Sequence, residues 1–305
     1  MVQVWFSILC VMIILFVVLD GWDFGAGALH FVVGRNQDER RTLIAAIGPL
    51  WSWHEVWLVG IGGILFVAFP QVLSVGFPAY YLALFLVLWT LVIRGLSLEF
   101  RGHIADDLWR SFWDFALAVS NTVLAVLIGV AAGNILRGIP LGATPAESLP
   151  LFTDFGVRGN VGLLDWYVLS IAFFTLVCLC AHGASYLATK TEGPIYARCR
   201  TLALRLWITT VSLLPLVSLA TFVVRPQLFD NCASRPLAWL CVAGILGAIA
   251  AIFHGYSVKA DRQMFLGGCL LIAAPDWGGC DMCLSSYAAV DAFAGVFDHS
   301  LERIF

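Results

Sequence analysis

Charge is what this sequence has least of. Only 12% of its 305 residues are Asp, Glu, Lys or Arg, while 61% are hydrophobic and the mean hydropathy is +0.91. A water-soluble domain of this length cannot hide so much apolar surface, so the chain is expected in lipid. Cations are too few and too dispersed to grip a polyanion. The 17 Lys and Arg fall in short clusters between apolar runs and the formal net charge is -3, which argues against nucleic acid as a ligand. The opening apolar run, Val4 to Leu19, lacks a basic leader and a small-residue cleavage site. It passes instead into Asp20-Gly21-Trp22-Asp23, and reads as a retained first span. A disulfide framework is also missing from the pattern: of nine cysteines, Cys10, Cys178, Cys241 and Cys269 lie inside apolar stretches, where cysteine behaves as a small buried hydrophobe. Internal repeats and low-complexity segments are absent, and the Gly-rich stretches do not pair into an inverted repeat. One membrane domain over residues 1–305 follows.

A membrane span needs about 20 mostly apolar residues. Seven or eight such stretches are present, near residues 4–33, 49–72, 76–97, 112–134, 162–186, 205–224, 236–255 and, more weakly, 263–290. All are expected to be helices, because hydrocarbon cannot satisfy an open strand edge. The fold class is therefore an all-α polytopic helix bundle. Its connections differ in charge. One set carries Arg35, Arg40 and Arg41, then Arg94, Arg101 and Arg110, then Lys190, Arg198 and Arg200, then Lys259 and Arg262. The other set is poorer in cations and punctuated by Pro and Gly. The excess of positive charge places the first set in the cytoplasm and the N-terminus on the periplasmic side.

Ionisable groups inside such spans cost about 2.5 to 3.5 kcal/mol each at mid-membrane on insertion scales, so each needs a reason. Asp20 and Asp23 sit three residues apart in the first span and share a helix face, flanked by Gly21, Gly25 and Gly27, which admit a close neighbour. They fit either a proton-conducting polar interior or simple interhelical pairing. Trp51-Ser52-Trp53-His54-Glu55-Val56-Trp57 opens the second span. His54 and Glu55 can exchange protons there, and the three Trp equally fit ordinary interfacial anchors. Arg94, Glu99 and Arg101 close the third span and read as a structural ion pair at the membrane surface.

His30, His54, His182 and His254 lie in or near spans, but none belongs to a paired-histidine haem pattern, and each reads as a satisfied polar group. Cys178, Cys180 and His182 have the right chemistry for a metal, yet a helix turns Cys180 away from the other two. Cys280-Asp281-Met282-Cys283 has redox or zinc spacing but no second ligand pair. No metal and no catalytic residue is assigned to this chain.

Taken in order, several stretches resemble the second subunit of cytochrome bd-type quinol oxidases. They are Asp20 to Gly27, Gly34-Arg35-Asn36-Gln37-Asp38-Glu39-Arg40-Arg41, Gly48-Pro49 to Leu58, Arg94-Gly95 with Glu99-Phe100-Arg101, Trp109 to Asp114, Gly129 to Asn134, and Ala181 to Leu187. The resemblance runs from about Leu19 to Arg200. It implies a subunit of a multi-pass oxidase complex in the bacterial cytoplasmic membrane. In that complex a larger partner would carry the b- and d-type haems and the quinol site, and would reduce oxygen to water. This chain would support that partner, line a proton or oxygen route, and hold a structural quinone or lipid. Small single-span subunits would be further companions.

Two departures from the family pattern stand out. Where the family has Trp-Asp-Gly/Ala-Asn-Glu/Gln-Val-Trp, this chain places Ser52 at the position of the acid implicated in proton conduction, so the candidate route comprises Asp20, Asp23, Ser52, His54 and Glu55, with His54 or Glu55 expected to take over that acid's role. After Ala274 the chain also lacks the family's long final apolar helix. A rival of another class is a secondary transporter or channel whose intramembrane acids bind an ion or substrate, and which would act without a haem partner.

Overall fold

The computed structural model describes residues 2–138, 152, 155–156, 162–233 and 236–274. Among them the chain is helical, with one isolated β-bridge between Phe152 and Leu164 and no strand. The helices are α1 (Val2–Ala28), α2 (His30–Val33), α3 (Gln37–Ile47), α4 (Trp51–Ala68), α5 (Pro70–Ala79), α6 (Tyr81–Phe100), α7 (Asp107–Arg137), α8 (Trp166–Lys190), α9 (Gly193–Val224), α10 (Pro226–Ala233) and α11 (Pro236–Ser257). Residues 261–274 form a further helical segment, α12. Among the described residues, seven helices are long and apolar enough to cross a membrane: α1, α4, α6, α7, α8, α9 and α11. The eighth expected span, 263–290, begins in α12 and then leaves the described residues, as does the Cys280 to Cys283 motif.

Several boundaries depart from the sequence-based expectation for local reasons. The first span stops at Ala28 rather than running to residue 33, because a turn at Leu29 separates the short α2. The third begins at Tyr81 rather than near 76, since Pro70 opens a separate helix, α5, that keeps Pro78 inside it. Asp106 and Asp165 cap α7 and α8 by accepting from the backbone N–H of Trp109 and Val168, each at 2.8 Å. The cap at Asp106 starts α7 earlier than the apolar run alone indicates. Cys10 also differs from expectation, being disulfide-bonded, whereas Cys180, Cys199 and Cys269 carry free thiols.

Helix α8 is the hub. Its neighbours are α1, α7 and α9, and its second half, Val177 to Ala188, is buried throughout. In lipid the apolar side chains gain little by leaving one hydrocarbon for another, so close packing of small residues must hold the helices. The α1–α8 crossing shows how close that is: a Cβ on Gly25 would lie 1.8 Å from the Leu179 carbonyl oxygen, and one on Gly183 would lie 2.2 Å from the Ala26 nitrogen.

One end of the bundle gathers the cations. Helix α3 does not span. It is capped by Asn36, which accepts from Glu39 N–H at 2.8 Å, while Glu39 accepts from Arg35 N–H at 2.8 Å, a reciprocal arrangement of the capping-box kind. Glu39 also accepts from Arg198 at the start of α9, and Arg200 pairs with Asp261 of α12 at 3.1 Å. These ties, with Arg101 Nη2 donating to Gln37 Oε1 at 2.7 Å, bring α3, the α6–α7 connection, the start of α9 and α12 to the same, Arg-rich end.

Candidate functional site

Three helices bring their charged residues together inside the bundle. The i, i+3 spacing puts Asp20 and Asp23 on one face of α1, the first turn of α4 supplies His54 and Glu55, and Arg94 reaches across from α6. Arg94 donates through Nη2 to Asp20 Oδ1 at 2.8 Å and to Asp23 Oδ2 at 3.3 Å, and through Nη1 to Glu55 Oε1 at 3.0 Å. His54 Nδ1 meets the same Asp23 oxygen at 2.8 Å. Asp20, Asp23 and Arg94 are fully buried and His54 nearly so, whereas the Glu55 side chain keeps 24% of its surface exposed. The guanidinium also lies over the Phe24 ring, 4.7 Å from its centroid.

The aromatic surroundings close the cluster on its other side. Trp22 stacks on Tyr186 at 4.8 Å with rings nearly parallel, and meets His54 edge-on at 5.1 Å. Chemically, three carboxylates sharing one guanidinium form a site with surplus negative charge in a low-dielectric setting. Such a site attracts a cation, and a proton is the smallest one. Donor atoms of Asp20, Asp23 and His54 lie within 4.8 Å of one another, as a metal site requires, but Arg94 already bridges the two aspartates and does the cation's work.

The structure brings together four of the five expected route residues. Ser52 stands apart, exposed on the outer side of α4. The expected ion pair among Arg94, Glu99 and Arg101 is not formed. Five residues of helix turn Glu99 about 140° away from Arg94, and its carboxylate is exposed, while both arginines turn inward to different acids.

Arg101 leads to a second cluster that sequence reasoning missed. Its guanidinium donates to Asp114 of α7 through Nε at 2.5 Å and Nη2 at 3.2 Å, and to Gln37 Oε1 at 2.7 Å. His30 Nε2 meets Asp114 Oδ1 at 2.8 Å, and Arg40 Nη1 approaches Asp114 Oδ2 at 3.7 Å. Asp114 and His30 are fully buried. A signal was present: Arg101 follows Arg94 by seven residues at the end of α6, and His30 follows Asp23 by seven across the turn at Leu29, so each repeats an inner position about two turns on. Outside the spans, the hydrogen bond from Arg198, with that from the Arg35 N–H, holds the Glu39 carboxyl below the usual carboxylate range.

Three of the described histidines, His30, His54 and His182, are already engaged by protein groups. His30 and His54 are each committed to a carboxylate. His182 is sandwiched against Phe265 at 4.9 Å, with Nε2 3.3 Å from the Val18 carbonyl oxygen, and Nδ1 faces Gly268, where even a Cβ would come within 2.8 Å.

A family profile described as cytochrome bd terminal oxidase subunit II matches residues 1–280. The chain is 33% identical over 241 residues to the cytochrome bd-I ubiquinol oxidase subunit 2 of Escherichia coli strain K12, covering 77% of this chain and 62% of that one. It is 37% identical over 200 residues to the probable cytochrome oxidase subunit 2 of Haemophilus influenzae, covering 66% and 52%. It is 30% identical over 254 residues to the cytochrome bd ubiquinol oxidase subunit 2 of Bacillus subtilis strain 168, covering 82% and 71%. The chain thus spans only about half to six-tenths of the length of the first two relatives. A chain from the structure of bd oxidase from Geobacillus thermodenitrificans shares its fold, with a TM-score of 0.68 at 16% identity, over 91% of this chain and 83% of that one.

Proposed function

The chain belongs to the cytochrome bd terminal oxidase subunit II family, and from that premise we propose that it serves as the second subunit of a quinol-oxidising, oxygen-reducing complex in a bacterial cytoplasmic membrane. Its larger partner carries the b- and d-type haems and the quinol site. This chain supports that partner and conducts protons to it, and a structural quinone or lipid seats on its membrane face. The Arg-rich end faces the cytoplasm and the N-terminus the periplasm.

The proton role is carried by one observation: Asp20, Asp23 and Glu55 share the single guanidinium of Arg94 deep in the bundle. Oxygen reduction consumes protons, so a haem buried in lipid needs a polar path. Carboxylates and an imidazole held within hydrogen-bonding reach are the groups that relay protons. Arg94 keeps the acids in place, His54 shares a proton with Asp23, and the partly exposed Glu55 is the point at which the path leaves this chain toward its neighbour. The Ser52 position plays no part.

The test is the oxygen uptake of the assembled complex with Asp23→Asn or Glu55→Gln, normalised to haem content. Both substitutions are expected to slow quinol-driven turnover at an unchanged haem spectrum. Full turnover in both removes the proton route and leaves a supporting role only.

A further inference from the structure

The two clusters are linked. Asp23 and His30 are seven residues apart across the turn at Leu29, and Arg94 and Arg101 are seven apart at the end of α6, a separation that on a continuous helix is two turns or about 10 Å. Two chain segments therefore lead from the inner cluster to the outer one along a single seam, and α7 runs beside both with Asn121 and Asp114. Buried Ser97 and Asn121 occupy the interval, and Asn121 fits there because Gly27 has no side chain: a Cβ on it would lie 2.4 Å from the Asn121 amide. Along the same seam Asp20 Oδ2, Asp23 Oδ1, Asn121 Oδ1 and His30 Nδ1 are all buried without a hydrogen-bond partner from the protein. Buried polar atoms are rarely left so, and atoms of this kind anchor internal water.

Charge points the same way. Across the two clusters four carboxylates, Asp20, Asp23, Glu55 and Asp114, face three guanidiniums, Arg40, Arg94 and Arg101. The surplus of negative charge lies in the inner cluster, around Arg94. The surplus of positive charge lies in the outer one, around Asp114. An unbalanced charge buried in protein is strongly disfavoured, and one added proton neutralises the whole. The potential for a cation falls from the outer cluster to the inner one.

Resting on the proton-route reading above, we propose that the two clusters are one network holding a single exchangeable proton, taken up from the Arg-rich end at His30 and delivered past Asn121 to Asp23 and His54. The intake therefore lies at the α2–α3–α6–α7 junction rather than at the start of α4. His30 Nε2 is committed to Asp114, so the travelling proton binds and leaves at Nδ1. Water anchored on Asn121 Oδ1 carries it to Asp23 Oδ1, the oxygen that neither Arg94 nor His54 engages. Asp114, itself held by Arg101 and Arg40, keeps the imidazole in register.

The experiment uses the assembled complex and follows proton uptake with an indicator dye when the reduced complex meets oxygen, with the haem spectrum as the control for assembly. His30→Gln and Asn121→Leu are each expected to slow proton uptake about tenfold or more, with an enlarged solvent deuterium isotope effect, and Asp23→Asn to slow it too. Wild-type uptake in His30→Gln and Asn121→Leu beside a slow Asp23→Asn overturns the linked network while sparing the inner route. Wild-type uptake in all three removes the route itself. If His30→Gln does not assemble, the nearly isosteric Asn121→Leu, which touches no ion pair, decides alone.

Discussion

Arg94 Nη2 donates to Asp20 Oδ1 at 2.8 Å, with both side chains wholly shielded from solvent. Removing one member of such a pair strands the other charge, which costs about 3 to 5 kcal/mol. Arg94→Leu strands up to three carboxylates at once. It is expected to lower the melting temperature of the complex and its yield far more than Glu99→Ala, whose carboxylate faces outward. Equal effects of the two substitutions would place the ion pairing at the membrane surface after all.

The α1–α8 crossing makes a second, purely steric expectation. Gly183→Val must push the backbone of α1 away from α8, whereas Gly62→Ala and Gly63→Ala on α4 meet nothing within 4 Å. The valine variant should fail to accumulate as a folded subunit, and the two alanine variants should behave as wild type in thermal unfolding followed by tryptophan fluorescence. A stable Gly183→Val would contradict the crossing.

Ser52 gives a third. It is exposed on α4, whereas the acids are held by Arg94, so Ser52→Ala should leave oxygen uptake unchanged while Glu55→Gln slows it. A loss of turnover on Ser52→Ala would return the route to that position.

The Glu39–Arg198 pair supplies a pH dependence. Its carboxyl is held below its ordinary range by Arg198 and by the Arg35 N–H, so folding gains from the ionised form. That gain is complete above the unfolded-state glutamate range and is lost as pH falls through the lower, folded value. The difference in melting temperature between wild type and Glu39→Gln should therefore be present at neutral pH and shrink in acid. A difference that is constant with pH would show that the charge is not responsible.

The spans and the inner acids were legible because both are local signals. Apolar runs of about 20 residues announce helices, and Asp20, Asp23, His54 and Glu55 stand out against them. Arg94 was misread because it lies near a span end, close in sequence to Glu99, and chain proximity implied a surface pair. The helix turn separates those two, and Arg94's true partners lie 39 to 74 residues away. Asp114 and His30 were missed as a pair for a related reason: they lie on different segments, and only the fold, closing 84 residues of chain between them, brings them together. The heptad spacing that links the clusters was visible in the sequence, but it acquires meaning only once α1, α6 and α7 are known to be neighbours.

The most direct measurement is a reduced-minus-oxidised spectrum of the protein purified from native membranes. A larger companion carrying b- and d-type haem signals is expected to come through purification with it, in a preparation that consumes oxygen with quinol. A haem-free chain that purifies alone and moves an ion or solute across vesicle membranes would contradict the oxidase function and favour a transporter.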